Sequence, residues 1–357
     1  MRVAEIDTPA LVVDLERMER NIATMARFFA SRPAKLRPHF KTPKCAEVVR
    51  RQLAAGAIGV TCAKLGEAEA LAATGVRTSV LIANQLVGAN KLARLVALAK
   101  ELPELIVAVD SAAQVDALDA ALAGSDARVG VLIEADIGMH RCGTDSPEES
   151  VALARRIAKS RAQYRGIMGY EGHAVLVPDA AKRKELAEAA ITTLVAHVAA
   201  LRAAGLAPEI VSAGGTGTFE LSGSTSGVTE IQAGSYVFMD GRYLDVRSDF
   251  ETALTLHTTV LRRRGRLLIT DAGVKSLSSD FGLPRGADLP LRVVGLSEEH
   301  GHLLIDEGAD LPLAPGDRLR ILPSHGDTTI NLHDRYYAAR GDEVEAVWAI
   351  VGRGRFV

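Results

Sequence analysis

Cysteine is scarce in this chain. Cys45, Cys62 and Cys142 form an odd, widely spaced set, which argues against a disulfide framework and fits a reducing cytoplasm. No Cys-x-x-Cys pair occurs, so zinc-ribbon chemistry is excluded. No apolar run approaches the roughly 18 residues of a membrane-spanning helix. Met1–Asp7 has an early acidic residue and no apolar core segment, so no secretory signal is expected and the protein is expected in the cytoplasm. Neither sign of charge is in excess. The 42 basic and 44 acidic residues leave a formal net charge of -2, so neither a nucleic-acid partner nor a membrane surface is expected. Low-complexity tracts and sequence-level repeats are also missing.

What remains is an ordinary globular mix, 48% hydrophobic and 24% charged over 357 residues. At about 150 residues per domain, that is two domains or one large barrel with an appendage. Thr8–Asp14 reads as a short strand. An amphipathic helix follows to about Ala30, with Leu15, Met18, Ile22, Met25 and Phe29 at three- and four-residue spacing. Eight short strands then alternate with alanine-rich helical runs. The strands are expected at Leu36–Lys41, Ile58–Ala63, Ser79–Ala83, Leu105–Val109, Val129–Ala135, Gly166–Gly169, Ile210–Ser212 and Glu230–Phe238. Most are apolar on both faces, as parallel strands covered by helices are. The pattern predicts an α/β fold, a (β/α)8 TIM barrel over 15–247. After about Arg247 the helices give way to short alternating runs, Thr252–Leu261, Arg266–Thr270, Leu291–Leu296, His302–Asp306, Arg318–Leu322 and Glu345–Val351, broken by Gly, Pro and Asp. These predict an antiparallel β domain over 248–357 that also takes in the N-terminal strand, 1–14.

A barrel of this type works at the C-terminal ends of its strands. Polar and titratable residues are expected there, and the opposite end shows no such collection in the sequence. The first strand delivers Lys41, with Thr42 expected to be extended because Pro43 follows. A lysine held there near Arg37, His39 and Lys44 can act as an amine nucleophile toward an aldehyde. The fifth strand runs into Glu134–Gly143 and the sixth into Tyr170-Glu171-Gly172-His173. The loops after strands seven and eight, Gly214-Gly215-Thr216-Gly217 and Gly234-Ser235, fall where barrels recurrently bind phosphate. The first of these is not the Gly-x-Gly-x-x-Gly turn of a dinucleotide fold. A phosphate site facing an amine nucleophile suggests pyridoxal phosphate, its aldehyde on Lys41 and its phosphate on the Gly215 and Gly234 loops. In the β domain, His325 and Asp327 of Pro323-Ser-His-Gly-Asp327 stand two apart on what reads as an extended stretch. They would project to one face, as a nitrogen–oxygen pair suited to Mn²⁺, Mg²⁺ or Zn²⁺.

The chain resembles the D-threonine aldolase / D-serine dehydratase family, metal-dependent fold-type III pyridoxal phosphate enzymes related to alanine racemase. The resemblance rests on Thr8–Asp14, Arg37-Pro-His-Phe-Lys41, Gly138–Gly143, Gly214–Gly217, Gln232–Tyr236, Asp271–Lys275, Pro323–Asp327 and Asn331–Asp334, all in the family's order. It implies that Lys41 bonds the cofactor's aldehyde, that Arg141 and Tyr170 contact its ring, and that His325 and Asp327 bind a divalent metal. The phosphate residues are then Gly215, Thr216, Gly234 and Ser235. Family members are homodimers in which the β domain of one subunit lies near the barrel mouth of the other. The implied reaction is retro-aldol cleavage of a D-3-hydroxy amino acid to glycine and an aldehyde. The alternative is dehydration of D-serine or D-threo-3-hydroxyaspartate; a racemase or a non-catalytic cofactor carrier is a more distant reading. A His-x-Asp pair, as here, is typical of the family's aldolases, and His-x-Cys of its dehydratases. Two positions depart from the pattern. Pro43 stands where the family has a histidine. Leu176 stands about where the aldolases place a candidate base, leaving His173 as the nearby histidine for that role.

Overall fold

The computed structural model describes all 357 residues. The chain divides into two compact units. One comprises Met25–Lys41, Val48–Gly234 and Arg355–Val357; the other comprises Met1–Thr24, Thr42–Glu47 and Ser235–Gly354. Each is described separately.

The first unit is the barrel. Its eight parallel strands are Lys35–Leu36, Val60–Cys62, Ser79–Gln85, Glu104–Val109, Gly130–Glu134, Gln163–Met168, Ile210–Ala213 and Glu230–Ile231. Each pairs with its sequence neighbour from the second to the eighth, and the eighth pairs with the first. The first and second strands are joined by backbone bonds, Ile58 N–H to Leu36 O at 2.9 Å and Phe40 N–H to Thr61 O at 2.7 Å. All eight expected strands are present, but the first and the last are cut to two residues each. The first is regular only over Lys35–Leu36, and Phe40 to Pro43 form a turn, so Thr42 is not extended. The eighth ends at Ile231, and Ser235–Val237 is a short 3-10 turn. The interior is filled by Leu81, Ile106, Ala108, Leu132, Met168 and Ile210. Each of the Leu, Ile and Met side chains contributes about 1.5–3 kcal/mol by leaving water. The barrel is therefore a packed core with chemistry confined to its ends, not a pore.

One helix, Ala180–Ala203, is long and apolar enough to cross a membrane by length and composition. Here it buries Ala187, Ala190, Ile191, Leu194, Val198 and Leu201 within the barrel unit.

The expectation that the barrel's N-terminal end lacks charge is overturned. Arg37 donates through Nε to both carboxylate oxygens of Glu230 at 3.0 Å and through Nη1 to Ser79 Oγ at 2.8 Å. Ser79 donates to Glu104, which also pairs with Arg165. Arg165 in turn reaches Glu209 at 2.8 Å. The chain of contacts links the first, eighth, third, fourth and sixth strands to the residue just ahead of the seventh. Gly59 leaves room for it, since a Cβ there would come 2.3 Å from Arg37 Nη1.

The second unit is built on a nine-stranded sheet. The N-terminal strand Ala10–Asp14 lies inside it, antiparallel to Leu254–Arg264 and parallel to Arg335–Arg340. The expected C-terminal strands are all present. Two more, Arg285–Gly286 and Arg335–Arg340, join them. The last was masked by its composition, because Arg335 and Arg340 bracket a Tyr-Tyr-Ala-Ala run whose alternation is weak. No disulfide links either unit, and all three cysteines are free.

Candidate active site

Lys41 follows the first barrel strand in the turn just described and is half-buried. Its backbone N–H donates to His39 Nδ1 at 3.3 Å. Its ammonium lies 5.9 Å from the centre of the Tyr170 ring, within the range of a cation–π contact. The structure thus brings together two of the residues the sequence singled out, from the first and sixth strand ends.

Tyr170 stands between two glycines. A Cβ on Gly172 would lie 2.5 Å from its ring, and one on Gly215 would lie 3.2 Å from it. The loop after the seventh strand therefore closes onto the ring because residue 215 has no side chain. Gly214 adds a positive φ of 80°, a conformation that glycine adopts without strain. Gly217 lies so close to Val175 O that no Cβ fits. The N–H groups of Gly217 and Gly234 have no acceptor within the chain. Backbone donors left open in a glycine-rich turn are the donor set a phosphate needs. The residues therefore fit a phosphorylated cofactor. Ser235 begins the 3-10 turn of the other unit.

Glu171 fixes this loop, and the sequence reading gave it no role. Its carboxylate is fully buried and accepts from Gly214 N–H at 3.1 Å, from Thr218 Oγ1 at 2.8 Å and from the Ser222 hydroxyl. Thr218 Oγ1 in turn accepts from Gly215 N–H at 3.3 Å. One carboxylate thus stitches the sixth loop to the seventh. Glu171→Ala would leave these donors buried without their acceptor, at about 1–3 kcal/mol. We expect a lower melting temperature together with faster cofactor loss on dialysis. Wild-type retention of cofactor would show that the loop holds its shape without the carboxylate.

The fifth strand end is an acidic pocket. Glu134 is buried and accepts from Gln85 Nε2 at 2.5 Å. Burial pushes its carboxyl above the usual range, outweighing the Gln85 bond and the Arg141 charge. Arg141 reaches to 4.0 Å of it but is 57% exposed. Asp136 shapes the loop between them by accepting from the N–H groups of Gly138, Met139 and His140. His173 is exposed, its ring laid over Gly138, where a Cβ would come 2.9 Å from Cε1. Its ring nitrogens make no hydrogen bond within the chain. His173 therefore does not brace the loop through a hydrogen bond.

The second unit holds the His325–Asp327 pair. The stretch is not extended throughout. His325 is extended and caps the short helix Gly326–Ile330, which contains Asp327. Asp240 is buried beneath the pair and accepts from the N–H of Gly326 at 2.9 Å and of Tyr243 at 2.9 Å. Burial, and next the nearby Asp327 charge, push the Asp240 carboxyl up; its backbone donors oppose this. Asp327 Oδ1 is buried with no hydrogen-bond partner. A buried carboxylate oxygen without a donor is costly unless a cation meets it. The pair therefore fits a divalent ion. No group of three His, Cys, Asp or Glu gathers around a common point, so such an ion would take its remaining ligands from water or substrate.

Residues 13–241 match the model of the alanine racemase N-terminal domain, and residues 253–339 match that of a putative serine dehydratase domain. The chain is 36% identical to a 3-hydroxy-D-aspartate aldolase of Paracoccus denitrificans and 35% identical to a D-threonine aldolase of an Arthrobacter species. Each match covers 99% of this chain and 94% of the relative. It is 34% identical to a D-threo-3-hydroxyaspartate dehydratase of a Delftia species, over 96% of this chain and 97% of that one. The crystal structure of a D-threonine aldolase from Filomicrobium marinum superposes with a TM-score of 0.96 at 37% identity, covering 99% of this chain and 98% of that one.

Proposed function

Since the chain belongs to the alanine racemase-like family that unites D-3-hydroxy amino acid aldolases with serine dehydratases, we propose that it is a pyridoxal phosphate- and divalent-metal-dependent aldolase. It cleaves a D-3-hydroxy amino acid to glycine and an aldehyde. The observation that carries the choice of aldolase is the His325–Asp327 pair, with its unpartnered buried carboxylate oxygen. An oxygen ligand there holds a hard cation such as Mn²⁺ or Mg²⁺ more readily than a thiolate would.

When bound, pyridoxal phosphate supplies an electron sink for the pair released from the Cα–Cβ bond, and the cation supplies Lewis acidity at the β-hydroxyl. The chain's own residues do the rest. Lys41 holds the cofactor through its aldehyde. Arg141 and Tyr170 orient its ring, and Gly215, Thr216, Gly234 and Ser235 hold its phosphate. His325 and Asp327 hold the cation. His173, whose ring is unbonded and exposed, takes the proton from the β-hydroxyl. The protein acts as a homodimer in the cytoplasm, a compartment that suits three cysteines with no disulfide between them.

The test is product analysis. D-Threonine is expected to yield glycine and acetaldehyde, with no 2-oxobutanoate. Pyruvate from D-serine, or oxaloacetate from D-threo-3-hydroxyaspartate, would instead identify a dehydratase. Chelation with EDTA is expected to abolish turnover and Mn²⁺ to restore it. Full activity after exhaustive chelation would remove the cation from the reaction.

A further inference from the structure

His325 is held on two sides by neighbouring residues that neither the motif nor the comparisons point to. Its Nδ1 lies 2.6 Å from Asp280 Oδ2. The Phe281 ring stacks on the imidazole, with centroids 3.9 Å apart and planes at 11°. The other Asp280 oxygen is also committed. Oδ1 accepts from Ser278 Oγ at 2.6 Å and from Thr328 Oγ1 at 3.0 Å. Asp280 is thus fixed by its own hydroxyl partners and spends its second oxygen on the histidine.

We propose that Asp280 is a positioning residue for the cation site: it holds His325 in the tautomer and orientation that present Nε2 to the metal. The inference rests on the reading of His325 and Asp327 as the metal pair. A carboxylate beside Nδ1 makes that nitrogen the proton-bearing one, so the lone pair is on Nε2. Metal-ligating histidines are commonly oriented in this way. Phe281 blocks rotation of the ring out of its plane, while Asp280 stops it turning within the plane. Asp280 is not itself a ligand in this arrangement, because both of its oxygens already have partners. Asp240 does the corresponding work on the backbone, holding Gly326 between the two ligands.

The experiment is titration of the cofactor-loaded, metal-stripped full chain with Mn²⁺, following the free-ion EPR signal. Circular dichroism would establish that each variant is folded at the temperature used. Asp280→Ala is expected to weaken Mn²⁺ binding by about 10- to 100-fold. Asp280→Asn keeps an acceptor for Nδ1–H but loses the charge, and is expected to fall between Asp280→Ala and wild type. A residue serving only to brace the loop would lower the melting temperature and leave the dissociation constant unchanged. His325→Ala is the reference. If it loses Mn²⁺ binding while both Asp280 variants bind like wild type, the role of Asp280 is overturned and the metal pair stands. If His325→Ala itself binds like wild type, the metal pair is wrong. Should Asp280→Ala fail to fold, Asp280→Asn decides between the same outcomes.

Discussion

Lys41→Ala is expected to lose the visible absorption band of the bound cofactor and to lower aldol cleavage by on the order of 10³-fold or more, since it removes the proposed covalent nucleophile. The amine lies in the turn after the first strand, half-buried, with its ammonium 5.9 Å from the Tyr170 ring. Tyr170 is in turn fixed between Gly172 and Gly215, so one end of the site is rigid around the lysine. The control is Lys64→Ala. Lys64 follows the second strand and caps the helix Leu65–Ala73, a lysine at an equivalent barrel position with no aromatic partner. It should keep the band. Loss of the band in Lys64→Ala with retention in Lys41→Ala would move the cofactor's attachment from the first strand to the second. Retention in both would remove either lysine from that role.

How much of this was legible before the fold was known depends on the range of the interaction. The barrel strands are runs of four to seven residues such as Leu105–Val109 and Val129–Ala135, buried on both faces, and their pattern is local. The first and last strands were read too long, for a physical reason. Residues 37–41 and 232–238 run on from the strands and carry β-prone aromatics, Phe40, Tyr236 and Phe238, so they pass as strand. Yet Pro38 and Pro43 lack an N–H for a ladder, and Gly234 begins a departure from the sheet. Lys41 was still placed at the correct end, because a strand's direction fixes which end a loop residue occupies.

The residues that brace the site were not legible. Glu171 meets Thr218 and Ser222, which lie 47 and 51 residues further along the chain. Asp280 meets His325 across 45 residues. A carboxylate's partner at that distance leaves no periodicity to read. The His-x-Asp spacing led to the proposed cation pair, but it suggested the wrong backbone. Two residues apart on a strand and a cap followed by a helical turn give the same spacing, and only Gly326, held by Asp240, settles which occurs. Pro43 gave the opposite kind of signal. In the sequence it is only a departure from the family pattern, whereas the structure ties its carbonyl to the buried Tyr336 hydroxyl at 2.8 Å. That residue anchors the turn after Lys41.

The charged belt at the barrel's N-terminal end makes the largest stability prediction. Arg37 and Glu230 are 3% and 2% exposed and come from the first and eighth strands. Glu230→Ala leaves the Arg37 guanidinium buried beside Ser79 without its direct ion-pair partner, at a cost of about 3–5 kcal/mol. A protein of ordinary stability has only about 5–15 kcal/mol in all, so a large part of the purified variant should be unfolded or aggregated at 37 °C. Arg37→Met combined with Glu230→Leu removes both charges and fills the space. It is expected to recover most of the loss, because desolvation offsets much of what a buried pair gains. The measurement is the urea midpoint of each variant. Equal midpoints for Glu230→Ala and wild type would show that water reaches Arg37. The same belt sets an acid limit. Burial pushes the Glu104 carboxyl up, but the Ser79 hydroxyl and Arg165 together outweigh it and hold the carboxyl below its ordinary value of 4.5. A carboxylate depressed in the folded state stabilises above its unfolded pKa, and that contribution disappears as pH falls through the folded value. Stability should therefore decline below about pH 4.5. Glu104→Gln should start less stable at neutral pH and lose less on acidification, so that the two urea-midpoint curves converge at low pH. Parallel curves would mean that Arg165 and Ser79 do not hold the carboxylate in solution.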